Sequence, residues 1–320
     1  MQKRTFNYLR VFISLFLLLF LFYIMRNKMD SLIHVIRNVD SSKFFMSMLF
    51  IVLIVLVSSL RLRTFLSVQG LKFKISEMTR LCLIGYFFNN FMPSTVGGDV
   101  VKIYYIKKHS NDYTRPFSAV LIDRMVGLSS LILMAGIAVI FWGGFIQNLA
   151  AKFIILLSFI MLVMFIGIIY FGQGKDRVFW LLRFNLFRKL KGKLIKVYNA
   201  VSLYRKSKSL ILGFLLSFSS HALWAIYAFS LARTLNIDLP LYIFFILIPV
   251  VSLISSLPSL NGLGIREGAF IYFFKEFIAP EQALALSILY FSQMIILSSI
   301  GGLVYLLNGT KIIKEMSYVK

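Results

Sequence analysis

Six ionisable residues stand inside stretches of sequence that are otherwise apolar: Asp99, Lys102, Asp123, Arg124, Arg266 and Glu267. Three carboxylates and three cations in such surroundings suit two kinds of chemistry. Asp99, Asp123 or Glu267 could act as a base, and Lys102, Arg124 and Arg266 could hold an anion. Arg266 has the stronger case for a ligand. It follows Gly262 and Gly264, where backbone N–H groups at the start of a half-helix favour negative charge, and its planar fork matches phosphate. Insertion costs about 2.5–3.5 kcal/mol for each charge at the centre of a membrane. Six unpaired charges would therefore cost about 15–20 kcal/mol, more than the ~5–15 kcal/mol that holds a typical fold together. They must be paired or wetted, and three acids against three bases permit complete pairing. Sequence neighbours on a helix point to different sides, so Asp123 is not expected to satisfy Arg124, nor Arg266 to satisfy Glu267. Asp99 can pair with Lys102 at i, i+3, or Asp99 and Lys102 can reach Arg124 and Asp123 respectively. Both arrangements stay open.

The elements that position these residues belong to a membrane protein. Hydrophobic residues make up 59% of the 320, 33 are Phe, and the mean hydropathy is +0.84, well beyond a soluble domain. The single Cys82 gives no disulfide framework, and His34, His109 and His221 form no H-x-x-x-H pair. No metal, no cofactor and no catalytic residue is therefore assigned. The net charge of +23 sits in short segments between apolar runs, which fits membrane topology and anionic lipid rather than nucleic acid.

Full spans are expected near 7–25, 44–60, 117–142, 152–172, 210–233 and 282–307, each close to the ~17–20 apolar residues a crossing needs. The first follows Lys3 and Arg4 without a small-residue cleavage site, so it reads as an uncleaved span. Two further stretches break instead of crossing, and both carry the same short signature. Pro93-Ser94-Thr95-Val96-Gly97-Gly98-Asp99 and Pro258-Ser259-Leu260-Asn261-Gly262-Leu263-Gly264 each read P-S-x-x-G. Each signature follows an apolar run, Leu81 to Met92 or Leu241 to Leu257. A second half-helix returns after it, Val100 to Ile106 or Ile265 to Phe274. Non-helical backbone at membrane depth is tolerated only within protein or against a watery cavity. Asn89, Asn90 and Asn261, with Ser255, Ser256 and Ser259, can cap the freed backbone groups or line that cavity. His221 reads as an interhelical hydrogen bond.

Charge placement fixes the sides. With the N-terminus inside, the proposed cytoplasmic segments hold 25 of the 35 Lys and Arg, among them five in 61–80 and 11 in 173–209, where Asp176 is the one acid. The positive-inside rule supports this drawing. It places the chain in the cytoplasmic membrane with both termini inside, and makes the two broken elements open from opposite faces. The expected architecture is all-α and polytopic, one domain over 1–320. It comprises six spans and two re-entrant pairs, with an inverted repeat of 44–142 on 210–307 as in many transporters. The segment 173–209 links the halves. Trp180, Phe184, Phe187, Leu190, Leu194, Val197, Val201 and Tyr204 recur at helical spacing between basic residues, which predicts an amphipathic helix on the inner surface.

The stretch F-M-P-S-T-V-G-G-D-V-V-K-I-Y-Y-I, followed by A-V-L-I-D-R-M-V-G-L, resembles the P-x-x-x-G-G-D-x-x-[RK] and D-R motifs of the flippase-like membrane domain, also called the lysylphosphatidylglycerol synthase transmembrane region. L-P-S-L-N-G-L-G-I-R-E-G-A-F is similar to its P-x-x-x-G-x-G-x-R-E motif. The resemblance covers essentially the whole chain and carries over Gly97, Gly98, Asp99, Lys102, Asp123, Arg124, Gly262, Gly264, Arg266 and Glu267 as motif positions. Lys102 stands where arginine is more common. What the resemblance implies is a polytopic domain that moves or handles anionic lipids, such as aminoacylated phosphatidylglycerol or a polyprenyl-phosphate-linked glycolipid. In two-domain synthases, aminoacyl transfer belongs to a soluble C-terminal domain. The chain ends 13 residues after Leu307, so that domain is not expected here.

Three functions compete. A lipid translocator would take an anionic headgroup into the crevice while the acyl chains stay in the bilayer. A membrane-embedded transferase would need Asp99, Asp123 or Glu267 as its base. An accessory subunit would recruit a soluble transferase to the cytoplasmic face through the basic linker.

Overall fold

The computed structural model describes residues 29–91, 97–110, 112–142, 202–204, 207–256 and 262–315, with Leu156 and Ile160. The expected spans 7–25 and 152–172, both P-S-x-x segments and most of the basic linker lie outside these residues. Among those described, regular structure is helical, with no strand. The helices in order are α1 (Met29–Arg37), α2 (Ser41–Val68), α3 (Ile75–Phe91), α4 (Gly97–Ser110), α5 (Thr114–Trp142), α6 (Lys208–Thr234), α7 (Leu241–Ser255), α8 (Ile265–Phe274) and α9 (Pro280–Glu315).

Four of these, α2, α5, α6 and α9, are long and apolar enough to cross a membrane, and they correspond to the four expected spans that fall on described residues. This is a multi-pass membrane protein. α3, α4, α7 and α8 have 17, 14, 15 and 10 residues. At 1.5 Å per residue each is shorter than the ~30 Å hydrocarbon core. Large apolar side chains such as Phe45, Met46, Leu49, Ile211, Leu215 and Leu306 face outward, as they would toward lipid, while the polar and charged groups turn inward.

Local chemistry sets the helix ends. Asp40 caps α2 by accepting from the Lys43 N–H at 3.1 Å, which satisfies one orphan amide and holds the Asp40 carboxyl below its ordinary range. α2 does not stop at its first arginine. It continues past Arg61 and Arg63 to a left-handed Gly70, where Leu71 N–H donates to Leu66 O and Gly70 N–H to Ser67 O, a Schellman closure. α6 ends the same way. Asn236 takes the left-handed position, Ile237 N–H donates to Ala232 O, and Asn236 N–H donates to Arg233 O.

The parallel extends further. α3 begins five residues after Gly70 and α7 five after Asn236. Most of the helix pairs in contact also correspond when α2, α3, α4 and α5 are exchanged for α6, α7, α8 and α9, the contacts of α5 with α6 and of α4 with α9 being the exceptions. α2 packs on α6; α3 on α9 and α7 on α5; α2 on α3 and α6 on α7; α3 on α4 and α7 on α8; α4 on α5 and α8 on α9; α2 on α5 and α6 on α9. The α2–α6 seam is tight: Phe65 is fully buried against Gly213, and the Tyr204 hydroxyl donates to Phe65 O at 2.8 Å. Gln293 of α9 donates to Phe44 O and Ser47 Oγ of α2 at 2.6 and 2.8 Å.

α4 crosses α3 at a glycine pair. A Cβ on Gly98 would lie 2.1 Å from Gly85 O, a backbone atom that cannot step aside. Gly98→Ala is therefore expected to pry the helices apart and destabilise the protein by about 1–3 kcal/mol, the usual range for overpacking. A thermal unfolding midpoint in detergent equal to wild type would show that this crossing is not load-sharing.

Candidate functional site

Residues of α3, α4, α7 and α8 line a polar crevice together with α2, α5 and α6. Two cavities of about 290 and 480 Å³ share Asn89, Arg124, Leu128, His221, Trp224 and Ser256, so they adjoin. The smaller is lined by Arg61, Asp99, Lys102 and Asp123. The larger is lined by Arg266, Ser252, Ser255, Phe270, Tyr290 and Met294. A charged half thus meets a half made of hydroxyls and aromatic rings.

In the charged half both open arrangements are partly realised. Asp99 receives Lys102 Nζ at 3.6 Å and also the Arg124 Nε. Asp123 goes elsewhere. Arg61 grips it in a fork, Nε to Oδ1 at 2.6 Å and Nη2 to Oδ2 at 3.0 Å, and donates from Nη1 to Ser217 Oγ at 3.0 Å. Arg61, assigned by charge counting to a cytoplasmic loop over 61–80, is instead an internal residue on α2, and the balance of three acids to three bases no longer holds. Among the described residues, Arg61, Lys102, Arg124 and Arg266 now face Asp99, Asp123 and Glu267, a net charge of +1. The signal for Arg61 was present in the sequence: no glycine or proline falls between Ser41 and Gly70, so nothing ends the helix there.

Asp99 sits on the first turn of α4, which opens on the buried Gly97 and Gly98, and Asn89 Oδ1 accepts from the Gly98 N–H at 2.8 Å. Asn89 thus caps a freed amide, as expected. Asn90 instead ties α3 to α9 through Ser298 Oγ and Met294 O. Arg124 keeps 43% of its side chain exposed while Asp99 keeps 8%, so its guanidinium looks into the crevice from behind an anchored carboxylate.

In the second half, Gly262 and Gly264 both take φ near +80°, a left-handed conformation that a side chain would strain. They bend the chain into α8. Glu267 then reaches back, its Oε2 accepting from the Gly264 N–H at 2.6 Å, while its Oε1 accepts from Arg266 Nη2 at 2.6 Å. Adjacent residues therefore do pair, against the expectation from helix geometry. In the first turn, Glu267 folds toward the N-cap, and the long Arg266 side chain folds with it. The protein's own carboxylate already takes the Gly264 amide. Arg266 is 6% exposed, lies over the Phe291 ring at 4.5 Å, and its Nε is buried with no hydrogen-bond partner among the described residues.

His221 Nε2 lies 3.0 Å from Gly127 O; it is the interhelical bond expected of it, with Nε2 donating to the carbonyl. Where the first half has the Arg61–Asp123 ion pair between α2 and α5, the second has Tyr227 and Tyr290 between α6 and α9. Their ring centroids are 4.9 Å apart, and the Tyr227 hydroxyl donates to Tyr290 O at 3.2 Å. Trp224 packs on both. Asn261 lies outside the described residues. Among them, no group of His, Cys, Asp and Glu could hold a metal ion.

The model of one protein family, described as the lysylphosphatidylglycerol synthase TM region, matches residues 7–302, nearly the whole chain. No curated protein matches the sequence.

Proposed function

Since the chain belongs to the lysylphosphatidylglycerol synthase TM region family, a membrane family linked to lipid handling, we propose that its crevice binds an anionic phospholipid headgroup and carries it across the bilayer. One observation supports this above the others. Among the described residues four cations face three carboxylates, and all but the 43%-exposed Arg124 are largely buried; an excess positive charge there favours a counter-anion. Arg266 would contact the phosphate, with Arg124 and Lys102 on the opposite wall. The glycines give the chain its bend, and Asp99, Asp123 and Glu267 hold the cations in place.

The transport architecture follows from the same elements. α3 with α4 and α7 with α8 act as re-entrant pairs entering from opposite faces, in an inverted repeat over 44–142 and 210–307. Their short lengths, the twin Schellman ends and the exchangeable helix contacts support this. The Lys and Arg of 63–80 and 173–209 support a location in the cytoplasmic membrane with both termini inside. A transferase is the weaker reading, because each carboxylate of the crevice is already engaged by a cation and is not poised as a general base. The accessory role rests on the basic linker alone.

The test is leaflet exchange. Vesicles containing the purified protein and a trace of headgroup-labelled phosphatidylglycerol are treated with a membrane-impermeant quencher. Protein-free vesicles should keep about half of the signal protected, and wild-type vesicles should lose that protection. A protected fraction unchanged by the protein contradicts transport.

A further inference from the structure

Resting on the anion-binding function proposed above, we infer that the crevice selects phosphate headgroups carrying an uncharged hydroxylated group and rejects headgroups that carry an ammonium, aminoacylated ones included. An ammonium moved out of water needs a carboxylate partner. Among the described residues, Asp99, Asp123 and Glu267 are the acids of the crevice. Each already faces a protein cation. Both oxygens of Asp123 are taken by the Arg61 fork. Asp99 is shared by Lys102 and Arg124. Glu267 gives one oxygen to Arg266 and the other to the Gly264 N–H. A ligand ammonium would have to share one of these acids with a protein cation, which weakens the compensation of both. It would also add to a charge that is already +1. The Trp224 ring offers a cation a weak contact, not a counter-charge.

The uncharged half has what a polyol requires. Ser255 Oγ donates to Val251 O at 2.7 Å and Ser256 Oγ to Leu253 O at 2.6 Å. Their lone pairs are left to accept from ligand hydroxyls. Trp224 and Tyr290 line the same cavity, amphipathic rings that can cover the apolar face of a glycerol or sugar. A phosphate at Arg266 with its polyol toward Ser255 and Ser256 would satisfy both halves.

The experiment is a competition on the full chain in detergent micelles, read by native mass spectrometry. Phosphatidylglycerol competes with its lysyl ester of identical acyl chains, against wild type, Arg266→Ala and Lys102→Gln. Wild type should retain phosphatidylglycerol at least about tenfold better. Lys102→Gln, which brings the crevice to neutrality, should narrow the gap to about threefold or less. Equal or preferential retention of the lysyl ester by wild type, lost in Arg266→Ala, overturns the selectivity and leaves anion binding standing. A preference unchanged in Lys102→Gln overturns its origin in charge. Retention of both lipids indifferent to Arg266→Ala overturns anion binding at this site and the selectivity with it.

Discussion

Arg61→Ala should be the most destabilising single substitution in the crevice, lowering stability by about 3–5 kcal/mol, the range for removing one partner of a buried ion pair. The loss has two sources. Asp123, 12% exposed, keeps its charge with neither fork bond remaining, and Ser217 loses a donor. Arg61→Lys should recover only part, because a point charge cannot span both oxygens of Asp123 and the serine together. The double change Arg61→Leu with Asp123→Leu removes both charges and should restore much of what either single change loses, since an apolar pair carries no desolvation penalty. Thermal unfolding in detergent across these four proteins would check the series. An Arg61→Ala midpoint within about two degrees of wild type, on the scale where 1 kcal/mol moves a domain of this size by ~2–4 °C, would remove the pair from the account.

Arg266→Ala should empty the site at a smaller cost in stability than Arg61→Ala. Glu267, 6% exposed, loses its cation but retains the Gly264 N–H, so the turn into α8 keeps its cap, and Phe291 loses the cation above it. The crevice falls from +1 to neutral, and the one guanidinium with a buried, unpartnered Nε among the described residues is gone. A charge-assisted contact is worth about 1.5–3 kcal/mol, so affinity for an anionic headgroup should fall roughly 10- to 100-fold. Arg266→Lys should be intermediate, keeping the charge but not the fork or the stacking on Phe291. Headgroup affinity measured beside the melting midpoint separates the two effects. A large fall in both would mean that Arg266 is structural.

Much of this arrangement was legible in the chain. The apolar run 241–257, the break at 258–264 and the return through Phe274 bracket α7 and α8, which span Leu241–Ser255 and Ile265–Phe274, because proline and glycine punctuate a strongly apolar background. The ion pair of Asp99 with Arg124 was among the options that charge compensation allowed. Arg61 was missed because hydropathy falls at Arg61-Leu62-Arg63, and a fall in hydropathy marks where a span leaves lipid, not where its helix ends. The helix continues to Gly70, and a charge on its inner face is hidden from a composition count. The Arg266–Glu267 pair was missed for a different reason. The rule that neighbours diverge holds in a helix interior, whereas a glutamate three residues after an N-cap turns back on the turn before it. The pairing of Asp123 with Arg61 also needed tertiary structure, since 62 residues separate them and nothing local announces the contact.

Trp224 lines both cavities, and a protein with Trp142→Phe and Trp180→Phe would keep it as the sole tryptophan of the three. Titrating that protein with short-chain phosphatidylglycerol and, separately, with phosphatidylcholine of the same chains reads occupancy of the crevice directly. A saturable change in Trp224 fluorescence with the anionic lipid, at least about tenfold weaker with the zwitterionic one and similarly weakened by Arg266→Ala, is the predicted result. The same response to both lipids, or one untouched by Arg266→Ala, would contradict an anion site in this crevice.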